Sequence, residues 1–125
     1  MQFLDTARNL FKFTKQQCVR LPKRYTFFGT QQTYACASQI MENVKMGNSI
    51  YPTNEHEVQM RRDYFLKALA EINVLLEYIY DIKDSFPISD TVMLEWLKMA
   101  TEEIRLIKGV LSKDKDRYTK AKLIT

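Results

Sequence analysis

The sequence predicts an all-α chain folded as an antiparallel up-down-up-down four-helix bundle. The stretch 54–84 runs about thirty residues without Pro or Gly, a rod of roughly 45 Å at 1.5 Å per residue. A later stretch places Met93, Leu97, Ala100, Ile104, Ile107 and Leu111 in strict four-three alternation, the spacing of one helix face. The chain holds only three Gly and three Pro, and Pro22, Pro52 and Pro87 all punctuate the periodic stretches. Short connections between four helices force neighbours antiparallel. At 125 residues this is one domain. The bundle is expected over residues 1–112, followed by a basic, mobile C-terminal tail at 113–125.

The first helix is expected from Phe3 to Arg20. Leu4, Ala7, Phe11, Thr14, Cys18 and Leu21 form its seam, widened by Phe3 and Leu10. Leu21-Pro22 ends it, because proline disfavours an α conformation in the residue before it. The second helix is expected from Tyr25 or Thr26 to Met46, with Ile50 as its outer limit. Its seam is Phe27, Tyr34, Ala37, Met41 and Val44, and Gly47 suits a position just past the helix end. Thr53 or Asn54 caps the third helix, and Glu57 completes a capping-box pattern. Val58, Phe65, Leu69, Ile72, Leu76 and Ile79 form its seam, which steps by seven between the first two. Ser89 or Asp90 caps the fourth. Trp96 lies beside the fourth seam, where a tryptophan packs half-buried at a bundle edge.

Composition narrows the function classes. No apolar run approaches the ~18–20 residues that span a bilayer. The amphipathic start lacks the pattern of a signal peptide, so a cytoplasmic location is expected. Cys18, Cys36 and the lone His56 cannot make a four-ligand zinc site, and no metal or cofactor is expected. The cysteines are expected to be reduced, small apolar fillers. No catalytic motif is present: no Gly-rich phosphate loop, no GxSxG, no HExxH and no CxxC. Glu102 and Glu103 are neighbours on a helix and point in different directions. No enzyme activity is expected.

The charge distribution is more informative. The net charge is +4. Residues 1–25 hold six basic and one acidic side chain, and residues 109–125 five and two, whereas the middle holds eight basic and twelve acidic. Arg20, Lys23 and Arg24 flank the first turn. The bundle topology places them with Lys83 at one end, and Arg61, Arg62 and the tail at the other. Lys98 and Arg105 are seven apart on one face of the fourth helix, with Lys108 beside them. Such cations bind phosphates by releasing counterions, without sequence preference. The candidate nucleic-acid-binding set is therefore Arg20, Lys23, Arg24, Arg61, Arg62, Lys98, Arg105 and Lys108. Solubility and helix-dipole compensation would explain the same residues without nucleic acid.

The segments RLPKRYTFF, ASQI, NSIYPTNEHE and RRDYFLKALAEINVLLEYI, in that order and spacing, resemble a bacterial four-helix-bundle family. That family includes the ribosomal-RNA intervening-sequence proteins and the accessory variability protein (Avd) of diversity-generating retroelements. The resemblance covers residues from about 5 to 112. Two segments depart from it. Met41-Glu42 stands where many members have an Arg-Arg pair, and NSIYPTNEHE replaces an Ile-Pro-Ser-Asn-Ile-Ala-Glu-Gly stretch. The resemblance implies a non-catalytic homo-oligomer, a pentamer, that binds RNA or DNA and assists a reverse transcriptase. Lys23 and Arg24 match the family's basic turn most directly. The alternative is a protein-protein interaction bundle without nucleic-acid binding. It would use aromatics left outside the core among Phe13, Phe28, Tyr78, Tyr80 and Trp96. A ligand-binding bundle would need a cavity lined by Tyr34, Cys36 and Asn73.

Overall fold

The computed structural model describes residues 2–125, apart from the side chains of Phe27 and Phe28. It contains helices α1 (Gln2–Cys18), α2 (Gln31–Asn48), α3 (Glu55–Ser85) and α4 (Asp90–Lys120). α1 packs on α2 and α4, and α3 packs on the same two helices. The helices thus close a ring of antiparallel neighbours, the expected four-helix bundle.

The caps are as the sequence implies. Asn54 accepts a hydrogen bond from the Glu57 amide at 2.9 Å, and Glu57 reaches back to the Thr53 amide and hydroxyl at 2.7 Å each. The return half of the box thus falls one residue before the cap. These bonds hold the Glu57 carboxyl below its ordinary range. Ser89 caps α4 by accepting from Val92 at 3.2 Å.

The second helix begins later than expected. After Pro22 the chain winds a 3-10 turn over Lys23–Tyr25 and a π turn over Thr26–Thr30, which runs directly into α2. The Tyr25 ring lies against Gly29, where a Cβ has no room. Thr33 donates to the Gly29 carbonyl at 2.7 Å. The side chains of Phe27, expected in the seam, and Phe28, expected among the candidate outer aromatics, lie outside the described residues.

Each seam is rotated slightly from its expected line. In α1, Leu10 is buried and Phe11 sits at the margin against Tyr34, ring centroids 5.4 Å apart. In α2, Thr33, Cys36, Ala37, Ile40 and Val44 are buried, while Tyr34 is exposed and Met41 half-buried. The small side chains face inward because α2 and α3 approach closely. Cys36 donates to the Glu71 carbonyl at 3.1 Å. In α3, the seven-residue step is filled by Arg61. The buried series is Val58, Arg61, Phe65, Ala68, Ile72, Leu75, Ile79 and Ile82, in unbroken three-four alternation. In α4, the buried positions are Trp96 and Glu103 rather than Leu97 and Ile104. Trp96 is fully enclosed. It donates to Thr14 of α1 at 3.0 Å and meets Phe13 edge-on at 6.1 Å.

The expected mobile tail is mostly helix. α4 continues to Lys120, with Asp114 and Tyr118 buried. The seam continues through those two residues, and a helix-ending turn closes it. Lys122 takes a left-handed φ of 60°, with Leu123 N bonded to Tyr118 O at 2.9 Å and Lys122 N to Thr119 O at 3.0 Å. These are the two bonds of a Schellman motif.

Gly47 lies inside α2, not beyond it. A Cβ there would stand 2.7 Å from the Phe65 ring, itself enclosed in the core. Gly47→Ala is therefore expected to lose about 1–3 kcal/mol of stability by overpacking, although alanine is the better helix former. A lower urea midpoint with unchanged slope would show it, and an unchanged midpoint would mean that Phe65 yields.

Candidate nucleic-acid interface

The bundle divides the eight candidate cations between its two ends and one helix face. Arg20, Lys23 and Arg24 lie together at the α1–α2 turn. All three are exposed, and none makes an ion pair among the described residues. The α3–α4 turn lies beside them. There Lys83 is engaged, donating to the Ile88 carbonyl at 2.6 Å and to Asp90 at 3.0 Å. Tyr25 anchors this end by donating to Asp81 and by packing edge-on against Phe86 at 4.6 Å. Burial, with the Asp81 carboxylate adding, pushes the Tyr25 phenol up to about 12, so it remains a donor.

Arg61 is not a surface cation. Its residue is 7% exposed. Its guanidinium grips Asp114 at 2.7 and 3.2 Å and donates to the Gly47 and Ile50 carbonyls at 3.2 Å each. It also lies over the Phe65 ring at 5.0 Å. The Gly47 carbonyl also accepts from the Ile50 amide at 3.2 Å, so Arg61 adds a second bond there and ties three helices together. It has no geometry left for phosphate. Its neighbour Arg62 is exposed, on the rim of a cavity of about 280 Å³ shared with Lys115 and Tyr118.

Lys98, Arg105 and Lys108 are exposed along α4. Arg105 is paired with Glu102 at 2.5 Å. The pairing raises the arginine and lowers the glutamate from their ordinary values. Arg105 also borders a groove of about 520 Å³ with Gly109, Lys113 and Arg117 of α4 and Phe3 of α1. At 3.6 residues per turn, Lys108 falls on the other side of Arg105 from this groove. Lys113 and Arg117, expected in a mobile tail, are thus fixed on a helix, exposed and without an ion pair among the described residues. Continued seam spacing at Asp114 and Tyr118 is the signal for them. Gly109 weakens helices by roughly 1 kcal/mol, yet a Cβ there would meet nothing within 4 Å. Packing within the chain does not require it, and its absence of a side chain leaves the groove open.

The remaining reactive groups are built into the structure. Cys18 and Cys36 are free and buried, and burial pushes both thiols up to about 11, so they are protonated at neutral pH. Tyr34 and Asn73 are exposed and do not enclose a cavity with Cys36. Among the described residues no three His, Cys, Asp or Glu side chains gather as a metal site, and no helix is long and apolar enough to cross a membrane. No family model, curated protein or solved structure matches the chain.

Proposed function

We propose that this chain is a non-catalytic, oligomeric nucleic-acid-binding accessory protein of the Avd type. It would assist a reverse transcriptase of a diversity-generating retroelement or a related mobile element. The observation that carries the reading is the set of exposed cations that make no ion pair among the described residues: Arg20, Lys23 and Arg24 at one end, and Lys98, Lys113 and Arg117 along α4. The ends are joined by helices of 31 residues, roughly 46 Å long, enough to follow several nucleotides of backbone. Arg61 leaves the candidate set, and Arg105 contributes in competition with Glu102. The motif order described above supports the retroelement role, with polymerisation belonging to the partner.

Light scattering with and without a mixed-sequence RNA, at low and high salt, tests this. An assembled particle that gains RNA mass at low salt and loses it at high salt is expected. The Lys23→Glu/Arg24→Glu double variant is expected to bind at least tenfold more weakly at low salt with unchanged thermal stability, since both side chains are exposed. A folded protein that takes up no RNA at low salt would refute the reading.

A specific observation favours a second reading, the protein-interaction bundle. Leu66, Ala70 and Val74 leave an apolar stripe exposed on the outer face of α3 at four-residue steps, and Tyr80 further along α3 is 50% exposed. The stripe suits contact with another copy, the homo-oligomer of the first reading, or with a different protein. Trp96 contributes nothing to such a surface because it is enclosed.

A further inference from the structure

A cavity of about 400 Å³ opens at the Arg20 end, between the α1 end and the α3–α4 turn. Pro22 lines one side, and Phe86, Pro87 and Val92 line the other. The residue that distinguishes it is Gln17, part of its wall, which is 7% exposed. Its amide makes no hydrogen bond to any described residue. The amide donor and acceptor are thus open to the cavity and available to a ligand seated in it. Arg20, one turn further on, also lines the cavity and is exposed, with no ion pair among the described residues. Phe86 is held in place by Tyr25, whose phenol is itself anchored on Asp81, so the apolar wall is preformed.

We propose that this cavity takes a single unstacked adenine of a single-stranded nucleic acid, read by Gln17, with Arg20 on the adjoining phosphate. The proposal rests on the nucleic-acid-binding reading for its polymer. The chemistry of the cavity supplies the base. A glutamine amide presents one donor and one acceptor side by side and matches adenine's paired donor and acceptor. Apolar and aromatic walls suit the faces of an unstacked base. The volume falls within the range of small-molecule sites. Lys23 and Arg24 continue the cationic path beyond Arg20.

The test compares fluorescent 12-mers of adenylate, uridylate and cytidylate, together with a titration of adenosine 5′-monophosphate followed by NMR. Wild-type protein is expected to prefer the adenylate 12-mer about tenfold. Gln17→Met, close to it in shape, is expected to remove that preference while leaving uridylate binding unchanged. The monophosphate is expected to shift the side-chain amide signal that Gln17→Met deletes, and Arg20→Gln is expected to weaken this. Equal binding of all three 12-mers by wild type and variant would overturn the adenine pocket and leave the nucleic-acid reading standing. Binding of no 12-mer would refute the nucleic-acid reading, and an unmoved Gln17 signal at millimolar monophosphate would refute the pocket by itself.

Discussion

Arg61→Met is expected to lower stability by about 3–5 kcal/mol, much of what a domain of this size has. The loss comes from what stays behind. Asp114 would remain buried without its partner, the Ile50 carbonyl would lose the Arg61 bond, and the Gly47 carbonyl would keep only the Ile50 amide. Removing both charges is expected to behave differently, because buried ion pairs are often replaceable by apolar side chains of similar volume. Arg61→Met/Asp114→Leu should recover most of the loss, less the contribution of the two carbonyls. Urea denaturation of the two single variants and the double variant gives the coupling directly. A cost below about 1 kcal/mol for Arg61→Met would show that the pair does not form in solution. Weakened RNA binding by this variant would report unfolding, since the side chain faces the interior.

The stability of the wild-type protein is expected to fall as pH rises from about 5 to 8, and Glu103 is the cause. Glu103 is fully buried and neither carboxyl oxygen has a hydrogen-bond partner among the described residues. Helix register, set by the Thr14–Trp96 and Arg61–Asp114 pairs, places it level with Ala7 of α1 and Ile72 of α3, neither of which can ionise. Burial, with the Glu102 charge adding, pushes the carboxyl from 4.5 up to about 8. Between those values the folded chain holds a proton that the unfolded chain releases. Folding therefore takes up a proton, and stability declines with rising pH until the folded carboxyl ionises near 8. Below about 4.5 both states are protonated and the penalty vanishes. Across this window the linkage is of the order of 4 kcal/mol. Glu103→Met is expected to flatten the dependence and to be more stable than wild type at pH 8. Urea midpoints at pH 5, 6.5 and 8 read both effects, and parallel profiles for the two proteins would refute the assignment.

The candidate interface is partly legible in the amino-acid sequence. Arg20, Lys23 and Arg24 follow from a helix end marked by Leu21-Pro22, and exposure is the ordinary state of cations at such a turn. Arg61 is misleading in sequence because its charge and the adjacent Arg62 make it look like one of a surface pair. The seven-residue step from Val58 to Phe65 is the trace of its true position, a core place occupied by a polar side chain. Lys113 and Arg117 are hidden in the expected tail for a related reason. An aspartate at a core position breaks the apolar pattern, although its partner sits on another helix 53 residues away in sequence. Gln17 gives no signal, since a buried amide is distinguished only by what surrounds it.

Local chemistry determined the number of helices, their caps and their antiparallel order, because spacing, capping side chains and proline act within a few residues. The rotation of each helix was decided by packing. One residue is about 100° of helix, and an apolar stripe is wide enough that Leu97 or Trp96, and Ile104 or Glu103, could each face the core. Neighbouring helices chose Trp96, whose indole finds Thr14, and in doing so turned Glu103 inward with no hydrogen-bond partner among the described residues. The same packing buried Arg61 against Asp114 and left the cations that remain outside as the surface available to a polyanion.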